Sequence, residues 1–257
     1  METIGIIGAG RLGLSFALLC ERVGFKVIVS DIMKEHVHKI NTKSLKSREP
    51  EVEKLLKNSF NLAATSSNEE VFSVSDAVWV FVPTPSNDTG KYDISIIEQI
   101  LFNRSKTSKE EQIVVIGSTI NPGDSENLQT LLPPHIPLFY NPEFIAQGSI
   151  IEDLISADMV LVGHPELYLD HQLSFIKQVY RLIQESTPKF NLMSWKAAEI
   201  TKIAINCFLT MKISYANLLG DVLIRSGEKK SIEAVLNAIG DDSRIGKHFL
   251  GYGFGYG

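Results

Sequence analysis

The 257-residue sequence predicts a doubly wound parallel α/β sheet followed by an all-α segment built around one long helix. Short apolar runs rich in Val and Ile alternate with helical stretches, and such continuous runs are typical of parallel strands covered on both faces. The sequence pattern changes after residue 193: residues 194–257 contain no proline, and apolar residues recur at helical spacing. We therefore place one domain at 1–193 and a second, helical domain at 194–257.

The predicted strands of the first domain are the runs TIGIIG, KVIVSD, DAVWVFV, QIVVIGS, IPLFYN and MVLVG. Helical patterns lie between several of them, as in RLGLSFALLCERVG and PEVEKLLKN. In the second domain a single helix is predicted from about Ser194 to about Ser226, and a helix this long needs a second layer or another subunit to cover it. SIEAVLNAIG predicts a shorter helix that ends with Gly240 at its C′ position.

Composition excludes several classes of protein. The net charge of -5 argues against a nucleic-acid partner, because general polyanion binders are usually basic. Cys20 and Cys207 form no CxxC pair, so zinc and a disulfide framework are not expected. Both cysteines are instead predicted to be small buried hydrophobes in a reducing compartment. No uninterrupted apolar stretch reaches the roughly 20 residues of a membrane span, so we expect a cytoplasmic protein with no membrane partner.

The segment GAGRLG directly follows the first predicted strand and opens a helix. In a dinucleotide-binding turn, Gly8 permits the tight bend, Gly10 lets the backbone reach a diphosphate, and Gly13 lets the helix lie close to the strand. Arg11 and Leu12 belong to the same turn and are predicted to line it, where helix N–H groups meet phosphates. The context indicates a Rossmann-type domain, since the motif alone would be weak.

Asp31 ends the second predicted strand, about 20 residues beyond the glycine motif, where an acid accepts the ribose hydroxyls of a dinucleotide. The same carboxylate would repel a 2′-phosphate, which favours NAD over NADP. The alternative is a glycine turn with no ligand, with Asp31 serving only as a helix cap.

The next two strands also end in residues that suit a cofactor crevice, because ligands of open α/β sheets gather at the carboxyl ends of strands. Pro83 and Thr84 follow DAVWVFV, and Ser118 and Thr119 follow QIVVIG. These four are predicted to contact the cofactor. The alternative for each pair is an ordinary loop with capping hydroxyls.

Three further segments carry a resemblance to a known family: YNPEFIAQGSIIEDLISADMVLVG at 140–163, AEITKIAINCFLTMKISYANLLGD at 198–221, and DDSRIGKHFLGYGFGYG at 241–257. Together with GAGRLGL and VPTPS, they resemble the UDP-glucose/GDP-mannose 6-dehydrogenase family over essentially the whole chain. The resemblance implies NAD-dependent oxidation of the C6 alcohol of a nucleotide sugar to a carboxylate, in two hydride transfers, through a cysteine-bound thiohemiacetal and thioester.

The resemblance also assigns roles to individual residues. Lys202 matches the family's catalytic lysine and Asn206 its partner, and both are expected to contact substrate and hold a developing oxyanion. Glu143 matches the glutamate linked to the water that cleaves the thioester, and Thr119 matches a threonine that helps to position that water. Arg244 matches an arginine that contacts the sugar nucleotide.

The NPEF segment brings one departure from the family pattern. Phe144, Ile145 and Ala146 are predicted to contact substrate. Gln147, which is predicted to lie beside the cofactor, stands where the family often has a second glutamate. An amide cannot act as a base, so a general-base role would fall to Glu143, to water, or to no group at all.

The glycine-rich GYGFGYG run is the larger departure. In the family the corresponding loop leads into the cysteine nucleophile, which at the family's spacing would fall about three residues beyond Gly257. We therefore expect residues 1–257 to be an inactive portion that carries neither this thiol nor the family's C-terminal nucleotide-sugar-binding domain.

Three functions stay open at this point. The first is part of a nucleotide-sugar 6-dehydrogenase, for UDP-glucose or GDP-mannose, that forms a homodimer through its long helix. The second is a short β-hydroxyacid dehydrogenase, which would need no cysteine but would also lack NPEF. The third is an NAD-binding, dimer-forming module without catalysis.

Overall fold

A computed structural model of the chain describes residues 3–104, 111–146 and 148–255. The chain divides into two compact units, Met1–Ile200 and Thr201–Gly257. The predicted boundary between 193 and 194 falls a few residues before this division and stays a prediction.

The first unit is built on one sheet whose strand order is β3-β2-β1-β4-β5-β6-β7-β8 in the described part of the chain. Its order reverses at β1 and β4, which is the position where open α/β sheets bind ligands. The strands are β1 (Thr3–Ile7), β2 (Lys26–Ser30), β3 (Leu62–Thr65), β4 (Ala77–Val80), β5 (Ile113–Ile116), β6 (Leu138–Tyr140), β7 (Val160–His164) and β8 (Phe190–Ser194).

The sheet differs from the prediction in two respects. β7 pairs antiparallel with β6, and β8 is parallel to β7, so these two strands run against the rest of an otherwise parallel sheet. β3 and β8 were not predicted, because LAAT is short and weakly apolar, and FNLMS mixes polar with apolar residues. Both strands lie at edges of the sheet, where only one neighbouring strand constrains the sequence.

Both faces of the sheet are buried. On β4, Ala77 and Trp79 belong to one apolar cluster, and Val78 and Val80 belong to the other. Successive side chains of a strand point to opposite faces, so this strand has no face for polar residues. The continuous Val/Ile runs in the sequence have this physical origin.

Helices cover the two faces and form the second unit. α9 is a 31-residue helix that crosses the division between the units. The helices are α1 (Arg11–Arg22), α2 (Lys34–Asn41), α3 (Val52–Asn58), α4 (Asn68–Val74), α5 (Ser95–Arg104), α6 (Asp124–Gln129), α7 (Ile150–Ile155), α8 (Asp170–Ile183), α9 (Trp195–Arg225) and α10 (Ile232–Asp241).

The second unit has a small core in which Ala216 of α9 meets Ile232 and Leu236 of α10. Gly240 lies inside α10, which is capped by Asp242, so the prediction of Gly240 as the C′ residue is wrong. A Cβ on Gly240 would lie 2.9 Å from Cγ and 3.0 Å from Cα of Lys247. The glycine is therefore explained by close packing of the following loop.

The glycine-rich tail folds back onto α9. The Tyr252 ring lies where a Cβ on Gly220 would be, 1.9 Å from a ring carbon, and its hydroxyl donates to Asp221 at 2.9 Å. Asn217 accepts from the Gly253 N–H at 2.7 Å and donates to the Phe254 carbonyl at 3.0 Å. The tail thus gains both packing and hydrogen bonds from a single helix, in spite of the entropy that its glycines lose on ordering.

Candidate functional site

The three glycines of the GAGRLG turn occupy different environments. Gly8 has φ +96°, and a Cβ there would lie 2.3 Å from the Phe81 carbonyl oxygen. A Cβ on Gly13 would lie 1.9 Å from the carbonyl oxygen of Gly8. Gly10, in contrast, has no atom within 4 Å of such a Cβ, so the chain itself leaves its outer face open. This open cradle at the start of α1 fits a diphosphate, because the first turn of a helix presents N–H groups without helical partners.

Asp31 stands at the end of β2, beside this turn. One of its carboxylate oxygens accepts the Met33 N–H at 2.9 Å, which is a capping role. The other oxygen has no protein partner among the described residues, so the capping role and a ribose role are compatible. His36, which the sequence analysis missed, contacts the Ala9 carbonyl through Nε2 at 2.7 Å and ties α2 to the turn.

The ends of β4 and β5 are joined by side-chain hydroxyls. Thr84 Oγ1 donates to the Thr119 carbonyl at 2.7 Å, and Ser118 Oγ donates to the Val82 carbonyl at 2.7 Å. Thr84 and Thr119 are partly exposed, Pro83 is exposed, and Ser118 is buried. The hydroxyls therefore fix the two loops at the carboxyl edge of the sheet, and contacts of these residues with a cofactor stay a prediction.

Glu143 follows β6 and is connected to the interior. The fully buried Tyr180 donates its hydroxyl to Glu143 Oε1, and the same hydroxyl lies 2.5 Å from Asn141 Oδ1. Burial, followed by the charge of Glu143, raises the pKa of the Tyr180 hydroxyl well above its ordinary value. A partly exposed carboxylate is thus hydrogen-bonded to a hydroxyl that keeps its proton.

The residues after Glu143 face both layers of the core. Phe144 packs against the cluster on one face of the sheet and Ile145 against the cluster on the other. Ala146 is exposed, and its N–H donates to Asp153 at 2.7 Å. Gln147 lies outside the described residues. The predicted substrate contacts of Phe144 and Ile145 would have to use their exposed edges or their backbones.

Glu49 is a second residue that the sequence analysis missed. Its side chain is 1% exposed and accepts the Gly148 N–H through both oxygens, at 2.9 and 3.1 Å. Arg11 of the glycine turn lies 3.9 Å from the same carboxylate. Glu49 therefore lies between the start of α1 and the loop that follows NPEF, and it binds Gly148 of that loop from 99 residues away in the sequence.

Glu199 anchors the first turns of α9 within the first unit. It is fully buried and accepts N–H groups from Gly123 at 2.5 Å and Ser125 at 2.8 Å. Both donors follow the Thr119 loop, at the start of α6. The buried carboxylate is thus satisfied by backbone donors, as a buried charge must be.

In the second unit, Lys202 and Asn206 lie on the same face of α9, because they are four residues apart. Lys202 is buried and Asn206 is partly exposed. Arg244 is exposed and forms an ion pair with Asp242 at 2.6 Å, and this hydrogen bond lowers the pKa of the Asp242 carboxyl. Their catalytic and substrate-binding roles stay predictions.

The two cysteines differ from each other. Cys20 is fully buried in α1, and burial, followed by the nearby charge of Glu143, raises the pKa of its thiol well above the ordinary value. Cys207 is exposed, so the prediction that both are buried is wrong for this residue. Cys207 lies on a part of α9 where apolar side chains such as Phe208 and Met211 are also exposed.

By length and composition alone, α9 is also apolar enough to cross a membrane, and 17% of its most apolar 18-residue window is buried. Core helices of soluble proteins pass the same test, so this finding assigns no location. Within the described ranges there is no group of three or more His, Cys, Asp or Glu that could hold a metal ion.

Comparison with known protein families gives two consecutive matches. Residues 2–184 match the NAD binding domain of the UDP-glucose/GDP-mannose dehydrogenase family, and residues 196–257 match the central domain of that family. Among curated relatives, the UDP-glucose 6-dehydrogenase of Rickettsia typhi is 29% identical over 262 residues. That alignment covers 99% of this chain and 59% of the relative, so the chain spans less than two thirds of the length of the enzyme it matches.

Solved structures give the same result. A UDP-glucose dehydrogenase from the hyperthermophilic archaeon Pyrobaculum islandicum superposes with a TM-score of 0.89 at 27% identity, covering all of this chain and 60% of that one. GDP-mannose dehydrogenase from Pseudomonas aeruginosa, solved as a ternary complex, gives a TM-score of 0.84 at 23% identity, over 99% of this chain and 60% of its own. At that identity the second comparison supports the fold alone.

Proposed function

Because the chain belongs to the UDP-glucose/GDP-mannose dehydrogenase family, with NAD as its cofactor, we propose that it serves the NAD-dependent oxidation of a nucleotide sugar at C6. The single observation that carries the proposal is the pair of family matches, which together take up nearly the whole chain in the family's order. They also favour this function over a short β-hydroxyacid dehydrogenase.

The residues of the first unit fit the cofactor. The open face at Gly10 would admit the diphosphate, and the second oxygen of Asp31 would accept a ribose hydroxyl. When bound, NAD would supply the hydride acceptor, one molecule for each step: the first for the sugar alcohol, and the second for the thiohemiacetal that the aldehyde forms. The protein's own task is then to orient the sugar, hold developing negative charge and position a water.

Lys202 and Asn206 are the proposed groups for the developing charge. An ammonium and an amide N–H on one face of α9 can donate hydrogen bonds to the same oxygen. Donors that are already in place stabilise the negative charge that develops on this oxygen and so lower the activation barrier. Glu143, with Thr119, would orient the water that cleaves the thioester. Arg244 would exchange its exposed ion pair with Asp242 for the diphosphate of the sugar nucleotide.

Neither cysteine in residues 1–257 suits the nucleophile. Attack requires a thiolate, and burial keeps Cys20 protonated. Cys207 follows Asn206 directly and therefore points about 100° away from it around the helix. We propose that residues 1–257 bind NAD but do not complete the oxidation to a uronate. The two unpaired cysteines fit the cytoplasm as the location.

The proposal is tested with the 257-residue chain. We expect a saturable NAD titration by calorimetry, and no steady uronate formation with either UDP-glucose or GDP-mannose. Failure to bind NAD would contradict the proposed function, whereas repeated turnover to uronate would contradict the argument about the thiol.

Lys202→Met is expected to lower kcat for uronate formation by about 10²–10⁴-fold in the full natural polypeptide, because it removes a charged donor to the oxyanion. NAD affinity of the variant is expected to stay within about twofold of wild type, since Lys202 is outside the cofactor turn. Lys212→Met is the matched control, as Lys212 lies on the same helix but donates to the carbonyls of Ile245 and Gly246. Equal rates for Lys202→Met and wild type would remove Lys202 from the mechanism.

We also propose that the chain forms a homodimer through α9. Five large apolar side chains follow one another at spacings of three and four residues along the helix, which is the pattern of a helix–helix seam. Each is about half exposed or more; they are Phe208, Met211, Tyr215, Leu218 and Val222, which we call the apolar stripe. Because exposed apolar surfaces of this kind are typical of subunit interfaces, we propose that the apolar stripe packs against a second copy of the chain.

A further inference from the structure

The hydroxyl of Tyr180 has an unusual position for a core tyrosine. Tyr180 belongs to α8, is 1% exposed, and its ring packs against Phe16 with a centroid distance of 5.9 Å. Its hydroxyl contacts two oxygens, Oδ1 of Asn141 and Oε1 of Glu143. One buried hydroxyl therefore links the interior of the first unit to the acid of the NPEF segment.

The orientation of Asn141 is fixed by its other partners. Its Nδ2 donates to the Leu161 carbonyl at 2.9 Å, and its Oδ1 lies 3.4 Å from Trp79 Nε1, which can only donate. Asn141 thus presents an acceptor to Tyr180. The hydroxyl lies between two acceptors and has one proton to donate, and its raised pKa means that it keeps this proton throughout the physiological range.

We propose that Tyr180 is a positioning residue for Glu143: its hydroxyl holds one carboxylate oxygen in place and stabilises the charged form of the acid. The carboxylate is then fixed by elements of the fold, since Trp79 belongs to β4, Tyr180 to α8, and Asn141 follows β6 directly. Groups held in this way keep their geometry better than groups on a loop alone. That this acid serves the water of the reaction rests on the proposed function, whereas the pairing with Tyr180 rests on the contacts.

Ionisation of Glu143 gives a direct test in the 257-residue chain. The side-chain carboxyls of glutamate are labelled with ¹³C, the Glu143 signal is assigned by its loss in Glu143→Gln, and its pH titration is followed by NMR. Tyr180→Phe removes a donor to the charged form, so the carboxyl becomes easier to protonate. We expect its titration midpoint to rise by about half a pH unit or more.

Tyr140→Phe is the matched control, because Tyr140 is an equally buried tyrosine whose hydroxyl is not hydrogen-bonded to Glu143. It is expected to leave the Glu143 titration unchanged. If Tyr180 had only a structural role, the Glu143 titration midpoint would be the same in Tyr180→Phe as in Tyr140→Phe. A Glu143 midpoint that is unchanged in Tyr180→Phe would overturn the inference.

A second measurement needs no substitution of the tyrosine, in case Tyr180→Phe does not fold. With tyrosine labelled at ¹³Cζ, the Tyr180 signal of the wild-type chain is expected to shift at the same pH at which Glu143 titrates, and this shift should be lost in Glu143→Gln. Different midpoints for the two groups would overturn the inference. Coupled titrations in a protein whose full natural form makes no uronate would support the pairing and contradict the proposed function instead.

Discussion

Replacing Gly10 with alanine is expected to weaken NAD binding by about tenfold or more without lowering the stability of the chain. A Cβ at Gly10 meets no protein atom within 4 Å, so it would project into the space proposed for the diphosphate. The backbone at Gly10 is extended, with φ -66° and ψ -170°, which alanine adopts without strain. A loss of tenfold corresponds to about 1.4 kcal/mol of binding free energy. Calorimetric titration with NAD and thermal unfolding of the unliganded chain measure the two effects.

Gly13→Ala is the matched control for this experiment. Its Cβ would lie 1.9 Å from the Gly8 carbonyl oxygen, which belongs to the backbone and cannot move aside cheaply. We expect the variant to lose about 2–3 kcal/mol of unfolding free energy. This corresponds to a fall in Tm on the order of 5–10 °C. If Gly10→Ala bound NAD like wild type, the open face at Gly10 would not be the diphosphate site. If it unfolded as early as Gly13→Ala, the space beside Gly10 would not be free of protein atoms.

The second large effect is expected on the oligomeric state. Met211→Asp combined with Leu218→Asp places two carboxylates in the apolar stripe, at positions that are 57% and 60% exposed in the single chain. Burying an unpaired charge in an interface costs about 2–5 kcal/mol, so the two changes should raise the dimer dissociation constant by about a thousandfold or more. Sedimentation velocity over a range of protein concentrations distinguishes the wild-type dimer from a variant monomer.

Leu167→Asp serves as the control for this experiment. Leu167 is 89% exposed and lies outside the stripe, so the same kind of substitution there should leave the dimer intact. A wild-type chain that sediments as a monomer at every concentration would contradict the dimer. Wild-type protein recovered with membranes would assign the apolar face of α9 to lipid instead.

The parts of the fold that the sequence predicts are those whose residues are constrained locally. Buried strands such as Ile113–Ile116 must be apolar on both faces, and α9 shows its helical spacing over 31 residues. The turn from Gly8 to Gly13 is recognisable because each glycine is needed for a local reason: a positive φ at Gly8, room for a ligand at Gly10, and close packing against the backbone at Gly13. β3 and β8 are exceptions, since edge position relaxes the constraint on their side chains.

The supporting contacts of the candidate site could not be predicted in the same way. Glu49 binds the backbone of Gly148, 99 residues away, and Glu199 binds that of Gly123, 76 residues away. An acid whose partner is a distant backbone N–H leaves no pattern in its own neighbourhood. Tyr180 likewise has the sequence signature of an ordinary core aromatic, and only its hydroxyl, placed beside Glu143, distinguishes it.

The hydrogen bonds between the glycine-rich tail and α9 have a consequence for the proposed pairing of subunits. Asn217 and Gly220, which hold the tail, lie on the side of α9 roughly opposite to the apolar stripe, because successive residues turn by about 100°, whereas Asp221, three residues after Leu218, lies at the edge of the stripe. About two turns of α9 thus contact the tail on one side and carry part of the proposed dimer surface on the other. In the proposed dimer, a change in the geometry of these turns would alter the free energy of subunit pairing and that of tail ordering, so we expect the two events to be thermodynamically linked.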